Sequence, residues 1–135
     1  MITLVMDTNV LVSGLLSPHS HSAILVRLVA EGSVRVAFDE RILAEYRAVL
    51  SRSKFPFQPA QVESLLTQIE EEGLKITPQP IAARLPDRDD LPFLEVALSA
   101  QVDSLVTGNK KHYPPSARRG IQVLSPRQCV ELISR

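Results

Sequence analysis

Several things are scarce in this 135-residue chain, and each scarcity excludes something. There is a single cysteine, Cys129. One cysteine cannot build a disulfide framework within the chain, nor a four-cysteine zinc site. It sits in a terminal segment with Val130, Leu132 and Ile133, which predicts a buried small hydrophobe. No apolar run approaches the ~18 residues that a membrane span requires. The opening residues Met1–Val10 lack the basic start and long apolar centre of a secretory leader, so none is expected. Charged residues make up only 22% and hydrophobic ones 44%, too apolar a balance for a disordered chain. No repeat or low-complexity tract appears. The expectation is one soluble, cytoplasmic domain over residues 1–135, long enough to bury a core.

Net charge is also absent, with fifteen acids against fifteen Lys plus Arg. Its distribution is uneven. Fourteen of the acids fall in residues 1–103, and six of the bases in residues 104–135. A basic C-terminal part points to an anionic partner or a complementary oligomer contact, unless folding interleaves the two signs.

Short apolar runs alternate with helical periodicity. Ile2–Met6 reads as a strand buried on both faces, and Val34–Phe38, Ser104–Thr107 and Ile121–Leu124 as further strands, with Leu74–Ile76 a weaker candidate. Ile24, Leu25, Leu28 and Val29 mark a helix over residues 20–30 that Gly32 stops. Asp39 is placed to cap a helix with the apolar face Ile42, Leu43, Tyr46, Val49 and Leu50. Prolines 56 and 59 forbid regular helix in the connector after it. Phe55 and Phe57 stand in that connector as a candidate patch for a partner. Val62, Leu65, Leu66 and Ile69 form another helical stripe, ended by Gly73. Residues 77–86 hold three prolines and read as extended or loop. Asp90 is expected to cap a helix reaching about residue 101. Ser125-Pro126-Arg127-Gln128 carries the signature of a capping box. The alternation predicts an α/β fold, a three-layer α/β/α sandwich around a mainly parallel sheet.

Polar residues at strand ends carry the chemistry. Asp7 directly follows the first apolar run, so it belongs at the carboxyl edge where such sheets build sites. A carboxylate there is expensive to bury without a cation, a metal or good donors. Alternatively, it caps the next helix. Glu45 borders the apolar face of its helix, where it either points into a cleft or is an ordinary surface acid. Asp87, Asp89 and Asp90 crowd one helix start. Capping explains one of them, and a divalent cation would relieve the repulsion among the rest. Thr107-Gly108-Asn109 closes a later strand at the same edge. Oxygen ligands without His or Cys suit Mg²⁺ or Mn²⁺, and hard cations held by carboxylates serve mostly phosphoryl chemistry. His19 and His21 are expected to be solvated, and His112 to pack within its loop.

Asp7-Thr8-Asn9-Val10-Leu11 resembles the N-terminal signature of PIN domains, metal-dependent ribonucleases. The resemblance continues through Phe38–Tyr46, where the family's second acid falls on Glu45. It includes Asp89–Ala97, where the third falls on Asp90, and Leu105–Asn109, where many relatives place a fourth acid and this chain has Asn109. Val106-Thr107-Gly108-Asn109 followed by His112-Tyr113-Pro114 is similar to the subgroup regarded as toxins of toxin–antitoxin pairs. The resemblance implies a PIN-like fold and hydrolysis of RNA phosphodiesters, leaving a 5′-phosphate. It assigns Asp7, Glu45 and Asp90 as catalytic residues that hold Mg²⁺ or Mn²⁺, with Asn109 as a further ligand. Thr8, Asn9 and Thr107 would orient ligands or waters, and Lys110, Lys111, Arg118 and Arg119 would contact RNA phosphates. It also implies a homodimer and an antitoxin partner. Two other readings compete. The missing fourth carboxylate suits a non-catalytic RNA- or protein-binding module. Asp7 and Thr107 at strand ends suit a phosphoacceptor or phosphatase domain, although Asn9 stands where a second acid would be wanted.

Overall fold

The computed structural model describes residues 1–135. Five strands form one parallel sheet: β1 (Thr3–Met6), β2 (Arg35–Phe38), β3 (Leu74–Lys75), β4 (Ser104–Val106) and β5 (Val123–Leu124). Their spatial order is β3-β2-β1-β4-β5. Every residue of β1 and of β4 is buried. Successive strand side chains point to opposite faces, so both faces are covered and the sandwich has three layers. The helical layers comprise α1 (Thr8–Leu16), α2 (His21–Ala30), α3 (Glu40–Leu50), α4 (Pro59–Glu72), α5 (Leu91–Ala100) and α6 (Pro126–Ile133). No helix is long and apolar enough to cross a membrane.

Local chemistry explains most boundaries. Ser20 and Asp39 accept from the N–H groups of Ala23 and Ile42, opening α2 and α3, the Asp39 cap as expected. Ser125 and Gln128 complete the reciprocal capping box of α6. Gly32, at φ +77°, ends α2 in the left-handed conformation. Cys129 is fully buried, and burial raises its thiol pKa to about 11.

Two expectations change. Asp90 stands at the start of α5, but its side chain makes no capping hydrogen bond. A 3₁₀ turn, Arg88–Asp90, precedes the helix, and Asp87 caps that turn by accepting from the Asp89 N–H at 2.9 Å. The carboxylate of Asp90 is therefore not spent on the helix end. The second change is α1, which apolar periodicity does not announce. It contains Gly14, where a side chain would meet Val26 Cγ2 at 2.5 Å and the Ser22 carbonyl at 2.9 Å. That glycine lets α1 and α2 cross closely.

The strand order fixes where a site can form. From β1 the chain winds outward through β2 to β3, then returns to the other side of β1 as β4. The loops leaving β1 and β4 diverge there, opening a crevice at the carboxyl ends of the two strands. Asp7 leaves β1, and Thr107 leaves β4, at this switch point.

Candidate metal centre

Asp7 is only 5% exposed. Its N–H extends the sheet by donating to the Val106 carbonyl at 2.9 Å. Its Oδ2 accepts from the Thr107 hydroxyl and from the Tyr113 hydroxyl, each at 3.0 Å. Burial raises the Asp7 pKa, and these two donors oppose the rise. Tyr113 is itself fully buried, and burial followed by the Asp7 charge drives its phenol pKa upward. Its proton thus stays on the bond to Asp7.

Glu45 reaches the same crevice from α3. Its neighbour Tyr46 is fully buried and donates to the Met6 carbonyl, tying α3 to the end of β1. The Thr8 hydroxyl donates to Glu45 Oε2. Burial raises the Glu45 pKa; the Thr8 bond opposes this and the Asp7 charge adds to it. Asn9 works differently. Its Oδ1 accepts from the Gly108 N–H at 2.9 Å, pinning the loop after β4 to the start of α1.

Asp90 completes the convergence. It is 7% exposed, and its pKa is pushed up to about 7, first by burial and then by the Asp7 charge, against the influence of His112. Its Oδ2 lies 3.0 Å from His112 Nδ1, yet both atoms are buried without an aligned hydrogen bond. Asp7, Asp90 and His112 each offer a ligand atom within 4.8 Å of the others. Divalent ions bind at about 2.1 Å in near-octahedral sites, which sets neighbouring ligand atoms about 3.0 Å apart. Asp90 Oδ2 and His112 Nδ1 stand within ion-pair distance and also at the separation of neighbouring ligands of one cation. The two-carboxylate, one-imidazole set suits Mn²⁺ more than Mg²⁺, because imidazole is the softer donor.

Asp7, Thr8, Asn9, Glu45 and Asp90 thus line one cavity of about 330 Å³, together with Asp87, Asp89 and His112. Thr107 lies buried beneath Asp7. The remaining expected residues are elsewhere. Asn109 is exposed, and its Oδ1 accepts from the Lys111 N–H at 3.2 Å, capping the 3₁₀ turn Lys110–His112. It does not line the cavity, whereas His112, which was expected only to pack within its loop, does. Lys110 donates to Gln128 at 3.0 Å. Arg118 donates to the Tyr113 carbonyl at 2.7 Å and Arg119 to the Ala82 carbonyl at 2.9 Å. Lys111 is exposed and has no protein partner for its ammonium. None of these four cations lines the cavity.

A crystal structure of VapBC2 from Rickettsia felis bound to a DNA fragment from their promoter shares this fold. The TM-score is 0.57 at 20% sequence identity, over 93% of this chain and 98% of that chain. No curated protein matches the chain. The family model described as PIN domain matches residues 3–111. That span runs from β1 to the turn before His112 and contains every carboxylate of the cavity, so the chain belongs to the PIN domain family.

Proposed function

We propose that the chain is a metal-dependent endoribonuclease and the toxin of a toxin–antitoxin pair. The observation that carries the catalytic reading is the pair of orphaned atoms, Asp90 Oδ2 and His112 Nδ1, buried beside Asp7. Asp7, Asp90 and His112 would hold Mg²⁺ or Mn²⁺, with Glu45 facing the same cavity. An ion bound there supplies positive charge opposite a scissile phosphate and acidity to a water. The protein's own groups do the rest. Thr107 and Tyr113 hold Asp7 in one orientation through its Oδ2. Thr8 holds Oε2 of Glu45. The other oxygen, on a carboxyl whose pKa is raised by burial, is suited to take a proton from water in the cavity. Asp87 and Asp89 at the rim add charge that favours a divalent ion over a monovalent one.

The toxin half is supported by the fold shared with VapBC2. The proposal includes a protein antitoxin as partner and a homodimer as the assembled form. The reading as a non-catalytic module drew on Asn109 lacking a carboxylate. Asn109 does not reach the cavity, so that difference no longer favours it.

The test is cleavage of end-labelled single-stranded and hairpin RNAs by the purified chain in Mg²⁺, Mn²⁺ or EDTA. The expected result is cutting that requires the ion and is lost in Asp7→Asn and Asp90→Asn. Cutting that persists in EDTA, or in a folded Asp7→Asn protein, would remove the metal-site assignment.

A further inference from the structure

We infer that a single-stranded stretch of the substrate lies across Arg52 and Phe55, with a phosphate on the Arg52 guanidinium and an unstacked base on the Phe55 ring. The inference rests on the nuclease reading above.

Charge poses the problem. Five carboxylates line the cavity: Asp7, Glu45, Asp87, Asp89 and Asp90. A polyanion meets repulsion there that one divalent ion only partly offsets. The one Lys or Arg in that lining is Arg52. It follows the last turn of α3 and is exposed. Its guanidinium has neither an ion pair nor a hydrogen bond within the protein. Arg47, five residues earlier in α3, is by contrast paired with Glu63, and Arg118 and Arg119 are held by backbone carbonyls. Arg52 is thus a free cation placed where phosphates must pass.

The aromatic geometry supplies the second half. Phe55 lines the acidic cavity and also a neighbouring one of about 390 Å³, and Arg52 lines both. The two cavities therefore meet along Arg52 and Phe55, forming a track that leads away from the carboxylates. The Phe55 and Phe57 rings stack with centroids 5.0 Å apart and planes 15° from parallel. Phe57 packs against the core, and Pro56 stiffens the link between them. Phe55 is therefore held as a plate rather than a swinging side chain. Lys54 Nζ lies 5.2 Å from the Phe55 centroid. Lys54 is exposed, and an exposed ammonium–ring contact is weaker than base stacking. The ammonium moves aside for a base and becomes a second phosphate contact. A fixed aromatic plate flanked by free cations is the arrangement that binds single strands without reading their sequence. A duplex, with its bases already stacked, has no face to offer.

The experiment measures fluorescence anisotropy of a 5′-fluorescein twelve-nucleotide RNA, single-stranded or annealed to its complement. Binding is read in the Asp7→Asn background with Mg²⁺ over a salt series. Cleavage is read in parallel on the otherwise unchanged chain. Arg52→Gln is expected to weaken single-strand binding about fivefold and to reduce the log–log salt slope by about 0.7. Phe55→Ala is expected to cost about tenfold and Phe55→Trp to restore binding, with melting curves confirming that each variant is folded. Duplex RNA should bind more weakly and respond little to Phe55→Ala. If the unchanged chain cuts RNA but Arg52→Gln and Phe55→Ala both bind like their parent, the inference is overturned while the nuclease reading stands. The connector then belongs to a protein partner. If the unchanged chain does not cut RNA and its Asp7→Asn form does not bind it, both fall together.

Discussion

Replacing Asp90 by Asn should stabilise the metal-free protein and abolish its response to metal. Asp90 is a buried carboxyl whose pKa rises from 3.8 to about 7. That rise corresponds to about 4 kcal/mol between the charged and neutral forms. Screening through the open cavity mouth reduces the usable part to about 2 kcal/mol. The sign follows from linkage. The folded protein keeps this proton up to about pH 7, whereas the unfolded chain releases it near pH 4. The stability it contributes is therefore fully present below about pH 4 and is lost as pH rises through about 7. Asn is near-isosteric and neutral, and Asp90 makes no capping bond that the change would remove. Thermal denaturation in EDTA should show Asp90→Asn and the unchanged chain melting together at pH 4. At pH 8 the variant should melt higher by about 6–10 °C, given about 3–5 °C per kcal/mol for a domain of this size. Mn²⁺ at a hundredfold over its Kd should then add about 2.7 kcal/mol to the unchanged chain only, reversing the order. A variant that melts lower at pH 8, or a difference independent of pH, would refute the claim that Asp90 is held in strained ionisation for a cation.

Other consequences are testable in the same preparations. His112→Gln should weaken Mn²⁺ binding about tenfold by calorimetry and narrow the preference for Mn²⁺ over Mg²⁺, whereas Asn109→Asp should leave the Mn²⁺ affinity within about twofold. Tyr113→Phe removes a donor from Asp7 Oδ2. It should cost about 1 kcal/mol in urea denaturation and raise the Asp7 pKa further, seen as a higher carboxyl ¹³C titration midpoint. Gly14→Ala forces a methyl against Val26 and the Ser22 carbonyl. It should lower stability by about 2 kcal/mol or more, read as a reduced urea midpoint with an unchanged slope. Arg118→Gln should reduce Mn²⁺ affinity a few-fold while leaving the salt dependence of RNA binding unaltered, since Arg118 is bonded to the backbone of Tyr113.

The fold was legible wherever one residue type has one main use. Strands buried on both faces read as unbroken apolar runs, and the caps at Asp39 and Ser125 name their helices. The first helix was not legible. Val10, Leu11, Val12, Leu15 and Leu16 surround it without a period, and Gly14 interrupts it because α2 crosses there. Asp7, Glu45 and Asp90 were legible as a converging set because each follows, or borders, an element that dictates its direction. The turn after β4 was harder. Sequence spacing alone does not say which side chain of Asn109-Lys110-Lys111-His112 faces the crevice. A 3₁₀ turn decides it: Asn109 caps the turn, and His112, three residues on, faces Asp90 in the cavity. The helix-capping preference of asparagine was the available signal that Asn109 had another employment.

The basic C-terminal segment makes the same point about charge. Six of the fifteen bases lie beyond residue 103, a pattern that suggests an anionic partner. In the folded chain these side chains act largely as internal staples. Lys110 holds Gln128, Arg119 holds the Ala82 carbonyl, and Arg118 holds the Tyr113 and Lys110 carbonyls. Through Tyr113 that last contact reaches Asp7 Oδ2. The tail's charge therefore stiffens the support of a carboxylate, a role that burial and hydrogen bonding reveal and net charge does not. The cation free to meet a phosphate at the cavity is Arg52, in the acidic part of the sequence. Where the backbone delivers a charge, and whether that charge already has a partner, outweighs how many like charges stand beside it in the chain.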